Sequence, residues 1–134
     1  MLNLKNNILA FDMGEKRIGL AVVKKDSFIV KPLDYLNNDN NFNDRLKQII
    51  KDNEVDLLVV GLPRNMSGQL TKQTKKVQEF VDQHLESLNL KIVYQDESLT
   101  SVVAEKNLSF KIKSKGQIDS EAACLILEDY INNL

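Results

Sequence analysis

The chain has 134 residues, 43% hydrophobic and 28% charged, with a formal net charge of −1. This size predicts one domain, residues 1–134, with a real core; no apolar run approaches the ~20 residues of a membrane span, and the first residues lack the apolar stretch and cleavage site of a secretory signal. A lone cysteine, Cys124, and a lone histidine, His84, exclude an internal disulfide, a cysteine zinc site and a multi-histidine metal site, while Leu20 and Ala21 stand where a Walker A loop starting at Gly14 would need Lys and Ser/Thr.

The first element is a strand, the short apolar run Ile8–Phe11 closed by Asp12. Met13–Lys16 is a turn in which Gly14 is free to take a positive φ. Ile18–Val23 predicts a second strand, Lys24–Ser27 a polar turn, and Phe28–Val30 a third strand closed before Pro32. Three strands with short links make an antiparallel meander. An asparagine-rich polar loop follows, and then Phe42, Leu46, Ile49 and Ile50 recur at helical spacing, which predicts an amphipathic helix over 42–53. Asp56–Val60 is a continuous apolar strand of the kind buried on both faces. Gly61–Gly68 is a loop, and 70–88 is a long helix with Leu70, Thr74, Val77, Val81, Leu85 and Leu88 inward. Lys91–Gln95 is a fifth strand, 100–108 a short helix, and Lys111–Gln117 a basic loop. Asp119 or Ser120 opens a last helix whose inner face is Ala122, Ala123, Ile126, Leu127, Tyr130 and Ile131. The order βββ-α-β-α-β-α-α predicts an α/β fold. Its five-stranded mixed sheet has strands 1, 4 and 5 parallel, strands 1–3 as the antiparallel meander, and helices on both faces.

Ligand sites in such sheets form beyond the carboxyl ends of the parallel strands. Acidic groups stand at two of those ends, Asp12 and the pair Asp96-Glu97, and a third, Asp119, opens the last helix. Clustered carboxylates repel unless a cation compensates. Hard oxygen ligands suit Mg²⁺ or Mn²⁺, and two such ions ~4 Å apart activate water and stabilise the leaving oxygen of a phosphodiester. Each residue also has an ordinary role: Asp12 as a turn former, Asp96-Glu97 as an exposed pair, Asp119 as a helix cap. The lysine groups at 16–17, 24–25, 72–76 and 111–115 read mostly as solvated faces. His84 reads as a boundary residue, Cys124 as core, and Tyr94 and Tyr130 as packing at the core's edge.

Four segments resemble the YqgF/RuvX family of the RNase H-like superfamily. They are Ala10–Ala21 (AFDMGEKRIGLA), Val60–Gly68 (VGLPRNMSG), Asp96–Ser101 (DESLTS) and Ile118–Glu128 (IDSEAACLILE), in order over most of the chain. The resemblance implies an RNase H-like fold and a cytoplasmic hydrolase linked to maturation of the 5′ end of 16S rRNA. An older reading of the family is a Holliday junction resolvase acting on branched DNA, and a third is a non-catalytic RNA-binding assembly factor. It assigns metal binding and catalysis to Asp12, Glu97 and Asp119, with Mg²⁺ or Mn²⁺ as cofactor, two ions bound with substrate. Gly14, Lys16, Arg17, Arg64, Asn65, Lys113 and Lys115 become the expected nucleic-acid contacts. The expected partners are pre-16S rRNA or a pre-ribosomal particle, with no membrane, and a monomer or weak homodimer. Ser98 stands where the family usually has arginine, Arg64 where leucine is common and Ser67 where aspartate is common.

Overall fold

The structure, a computed structural model, describes residues 4–14, 16–27, 29–62, 72–96 and 120–134. Five strands form one sheet: β1 (Ile8–Met13), β2 (Arg17–Val23), β3 (Lys31–Asn37), β4 (Leu57–Leu62) and β5 (Lys91–Asp96). Their order is β3-β2-β1-β4-β5. Pairing is antiparallel between β1 and β2 and between β2 and β3, and parallel between β1 and β4 and between β4 and β5. This is the mixed sheet read from the sequence. The run LLVVGL is buried at every position because β4 lies between two parallel neighbours with both faces covered.

Three α-helices are described: α1 (Phe42–Asp52), α2 (Lys72–Phe80) and α3 (Glu121–Asn132). α2 continues through a wide turn at Val81–Leu85 and a tight turn at Glu86–Leu88, ending at Asn89 with φ 58°. The expected helix is thus continuous from 72 to 88. Alternation along the strands divides the core in two. Leu9, Phe11, Leu58 and Val60 face Phe42 and Leu46 of α1 and the apolar stripe Val77, Val81 and Leu85. Ile8, Ala10, Leu57 and Val59 face Ala123, Ile126 and Leu127 of α3, which touches all five strands. None of the helices among the described residues is long and apolar enough to cross a membrane.

Three expectations need correction. The third strand is Lys31–Asn37 and not Phe28–Val30; Ile29 is exposed, and Phe28 lies outside the described residues. Pro32 sits inside β3, paired with Ala21, because β3 is an edge strand and its missing N–H removes no ladder bond there. Ser120 opens α3 from its N-cap position, as expected, with no capping bond from its side chain. Along α3, Ala122 is only half-buried, while Cys124 and Leu125 are buried. Tyr94 is exposed on β5 and does not pack at the core's edge, whereas Tyr130 packs against the α3 core as expected. The helix expected at 100–108 and the basic loop at 111–117 lie outside the described residues.

His84 is at a boundary, as the sequence suggests. Its Nδ1 lies 3.1 Å from Asn43 Oδ1, and its ring lies 4.5 Å from that of Phe80. At the amino end of the sheet, buried Asn7 ties three segments together. Its side chain donates to Glu54 O and accepts from Lys25 N, both at 2.9 Å, and its carbonyl accepts from Asp56 N at 3.0 Å.

Candidate active site at the carboxyl edge of the sheet

Asp12 lies next to the last residue of β1, at the carboxyl edge. Strand alternation puts its side chain on the α3 face, with Ile8 and Ala10. Its partner across the ladder is Gly19, so β2 contributes no side chain beside the carboxylate. Asp12 is half-buried, and burial pushes its carboxyl above the usual carboxylate range. Among the described residues no cation or hydrogen-bond donor is shown at this carboxylate, and no three acidic, histidine or cysteine side chains form a metal-binding group.

The start of α3 is fixed beside this position. The Leu20 amide donates to Ser120 Oγ at 2.9 Å, a buried bond spanning one hundred residues of sequence. Leu20 pairs with Phe11, and the adjacent pair is Gly19 with Asp12. Ser120, expected to open the last helix, therefore docks that helix onto β2, one register step from Asp12. Nothing local in the sequence signals this role, because the donor is a backbone amide on another element.

Asp96 ends β5 at the level of Leu62. Alternation sets it on the α2 face, with Ile92, away from Asp12. Of the Asp96-Glu97 pair, Asp96 thus belongs to the wrong face. Glu97 and Asp119, the other two predicted ligands, lie outside the described residues, as do Arg64, Asn65, Lys113 and Lys115.

Gly14, Lys16 and Arg17 form the turn next to Asp12. The Gly14 amide donates to Arg17 O at 3.0 Å. A Cβ on Gly14 would run into that same oxygen, so the turn demands glycine for space and not for the positive φ expected. The Lys16 carbonyl accepts from Asn38 N at 2.9 Å, which pins the turn to the end of β3. The Arg17 guanidinium lies 4.9 Å from the centre of the Tyr35 ring, a cation–π arrangement on the sheet's edge.

A sequence model of the RuvX family, described as Holliday junction resolvase, matches residues 6–133. The chain belongs to the RuvX family. Curated relatives share the length as well as the sequence. A Thermoanaerobacter pseudethanolicus protein named "Putative pre-16S rRNA nuclease" is 38% identical, covering 94% of this chain and 96% of its own. A Synechocystis protein of the same name is 37% identical, covering 92% and 86%. Among solved structures, the fowlpox virus Holliday junction resolvase superposes with a TM-score of 0.60 at 14% identity, over 96% of this chain and 99% of its own. Thermus thermophilus RuvC in complex with a Holliday junction gives 0.58 at 12% identity, covering 95% of each chain. The fold of this RuvX member is that of these resolvases, RNase H-like.

Proposed function

We propose that this chain is a metal-dependent endonuclease, one domain over residues 1–134, that hydrolyses RNA phosphodiesters in 5′-end maturation of pre-16S rRNA. The observation that carries the reading is Asp12, a half-buried carboxylate at the carboxyl edge with no compensating cation among the described residues. Such a group is poorly suited to stand alone and well suited to a divalent cation. The names of the curated relatives support RNA as the substrate.

In this reading Asp12, Glu97 and Asp119 hold Mg²⁺ or Mn²⁺. When bound, the ions supply activation of the attacking water and charge stabilisation at the leaving oxygen. Asp12 contributes a negative charge on a fixed strand, where partial burial strengthens its attraction for a cation. Ser120 holds the start of α3 against β2, which positions the chain adjoining Asp119. Gly14 admits close approach of a phosphate to the backbone. Lys16, Arg17, Arg64, Lys113 and Lys115 neutralise the phosphates, so binding weakens as salt rises, and the uncharged Asn65 contacts the nucleic acid by hydrogen bonding. The protein acts in the cytoplasm on RNA or a pre-ribosomal particle, as a monomer or weak homodimer.

The test is cleavage of a 5′-extended 16S precursor fragment in Mg²⁺ or Mn²⁺. Asp12→Asn, Glu97→Gln and Asp119→Asn should each slow cleavage by about 10²-fold or more, the loss of several kcal/mol of transition-state stabilisation. Full activity in a clean preparation of Asp12→Asn would reject the site. A second reading, resolution of four-way DNA junctions, is favoured by the family description and by the fold of the resolvases. It requires a dimer, because a junction presents two symmetric strands. Preferential cutting of a four-way junction by a sedimenting dimer selects it. Metal-independent RNA binding without nicking selects an assembly factor instead.

A further inference from the structure

Beside Asp12 the carboxyl edge carries a cleft of about 830 Å³, opening where the β1–β2 turn meets α2. Met13 and Gly14 at the end of β1 line it together with Asn38, which follows β3. Lys72, Lys76 and Phe80 line it from α2. No acidic residue lines the cleft among the described residues. The two lysines are exposed and one helical turn apart on α2. The Phe80 ring is held by Phe42, edge-on at 5.1 Å, and by His84.

An aromatic ring and two lysines lining one cleft match a ligand with both flat apolar faces and regular negative charge. A single nucleic-acid strand offers both together. A duplex offers its phosphates but keeps its bases stacked inside, away from Phe80. The volume is that of a site for a ligand of nucleotide size. Gly14 is two residues beyond Asp12, about 7 Å along an extended chain. The cleft opens on the α1–α2 face and Asp12 faces α3, so a strand joining them crosses the edge of the sheet at Gly14.

We infer that this cleft holds the unpaired strand flanking the bond to be cut, with Lys72 and Lys76 on its phosphates and a base against Phe80. The inference rests on the nuclease reading for the position of that bond, but the binding it describes requires no cleavage. The experiment is fluorescence anisotropy of the full chain, without divalent metal, on labelled oligouridine of about 12 nucleotides. Salt is varied from ~50 to ~200 mM.

Lys72→Ala with Lys76→Ala should weaken binding about tenfold and flatten the slope of log affinity against log salt by about 1.4, at ~0.7 per phosphate contact. Lys72→Ala alone should give half that change in slope. Lys24→Ala with Lys25→Ala, at the opposite end of β2, should leave both quantities as in the wild type. Unchanged affinity and slope in the cleft variants, an equal loss in the Lys24/Lys25 control, or tighter binding of a blunt RNA duplex would each overturn the inference. If Asp12→Asn cleaves normally while the lysine variants lose binding, the nuclease site fails and the cleft stands. If Asp12→Asn is inactive and the lysine variants bind normally, the cleft alone fails.

Discussion

A carboxyl group half-buried at the end of β1 holds its proton more tightly than one in water, so ionising Asp12 weakens the fold. Its folded value is raised above the unfolded one, near 3.9. The penalty is therefore absent below about pH 3.9 and grows as pH rises through the folded value. Asp12→Asn should raise the melting temperature at neutral pH, and thermal melts should show the gain vanishing toward about pH 3. Mg²⁺ or Mn²⁺ should stabilise the wild type by mass action and leave the Asn variant unmoved; equal shifts in the two proteins would count against a metal at this carboxylate. Two residues on, Gly14→Ala would drive a methyl group into the Arg17 carbonyl oxygen. The expected loss is about 1–3 kcal/mol in urea unfolding, with cleavage reduced because the same turn follows directly from Asp12. Asp12 and Gly14 are conspicuous in the sequence because a carboxylate and a glycine end an apolar run. The reason for the glycine was hidden, since it depends on where a carbonyl three residues later comes to lie.

Elements whose identity depends on their own periodicity were legible. α1, β4 and β5 fall within one or two residues of their expected bounds, as does α2 taken with its continuation to Leu88. Those defined by a neighbour were not. Phe28–Val30 is the more strand-like triplet by composition, yet the strand that pairs is KPLDYLN, because Leu33 and Leu36 are the residues that meet Leu20 and Ile18 of β2. The face of Asp96 is likewise invisible without the register that sets it level with Leu62. Ser120 is the sharpest case at this scale. Ser120→Ala strands the buried Leu20 amide without an acceptor and should cost about 1–3 kcal/mol. Amide exchange at Leu20 should accelerate in that variant, which a simple loss of helix capping would not produce.

For the molecule as a whole, the sheet is the shared wall of two cores, so a residue at its centre supports more than one layer. Leu58 is fully buried on the strand between β1 and β5, and Leu58→Ala should cost about 2–5 kcal/mol in equilibrium unfolding. At the other end of the strands, Asn7 ties the turn after β2 and the turn before β4 into a single unit. The proposed site and this structural tie thus occupy opposite ends of the strands, with Asp12 at one and Asn7 at the other.

The place of α3 after all five strands in sequence bears on how the protein is born. Synthesis proceeds from the amino terminus, so all five strands are made before the one described helix that lies across them on that side. Until residues 120–134 emerge from the exit tunnel, Ile8, Ala10, Ala21 and Val59 have no cover from that helix. A nascent or truncated chain ending at residue 119 should therefore be sticky, with this side of the sheet open to the wrong neighbours.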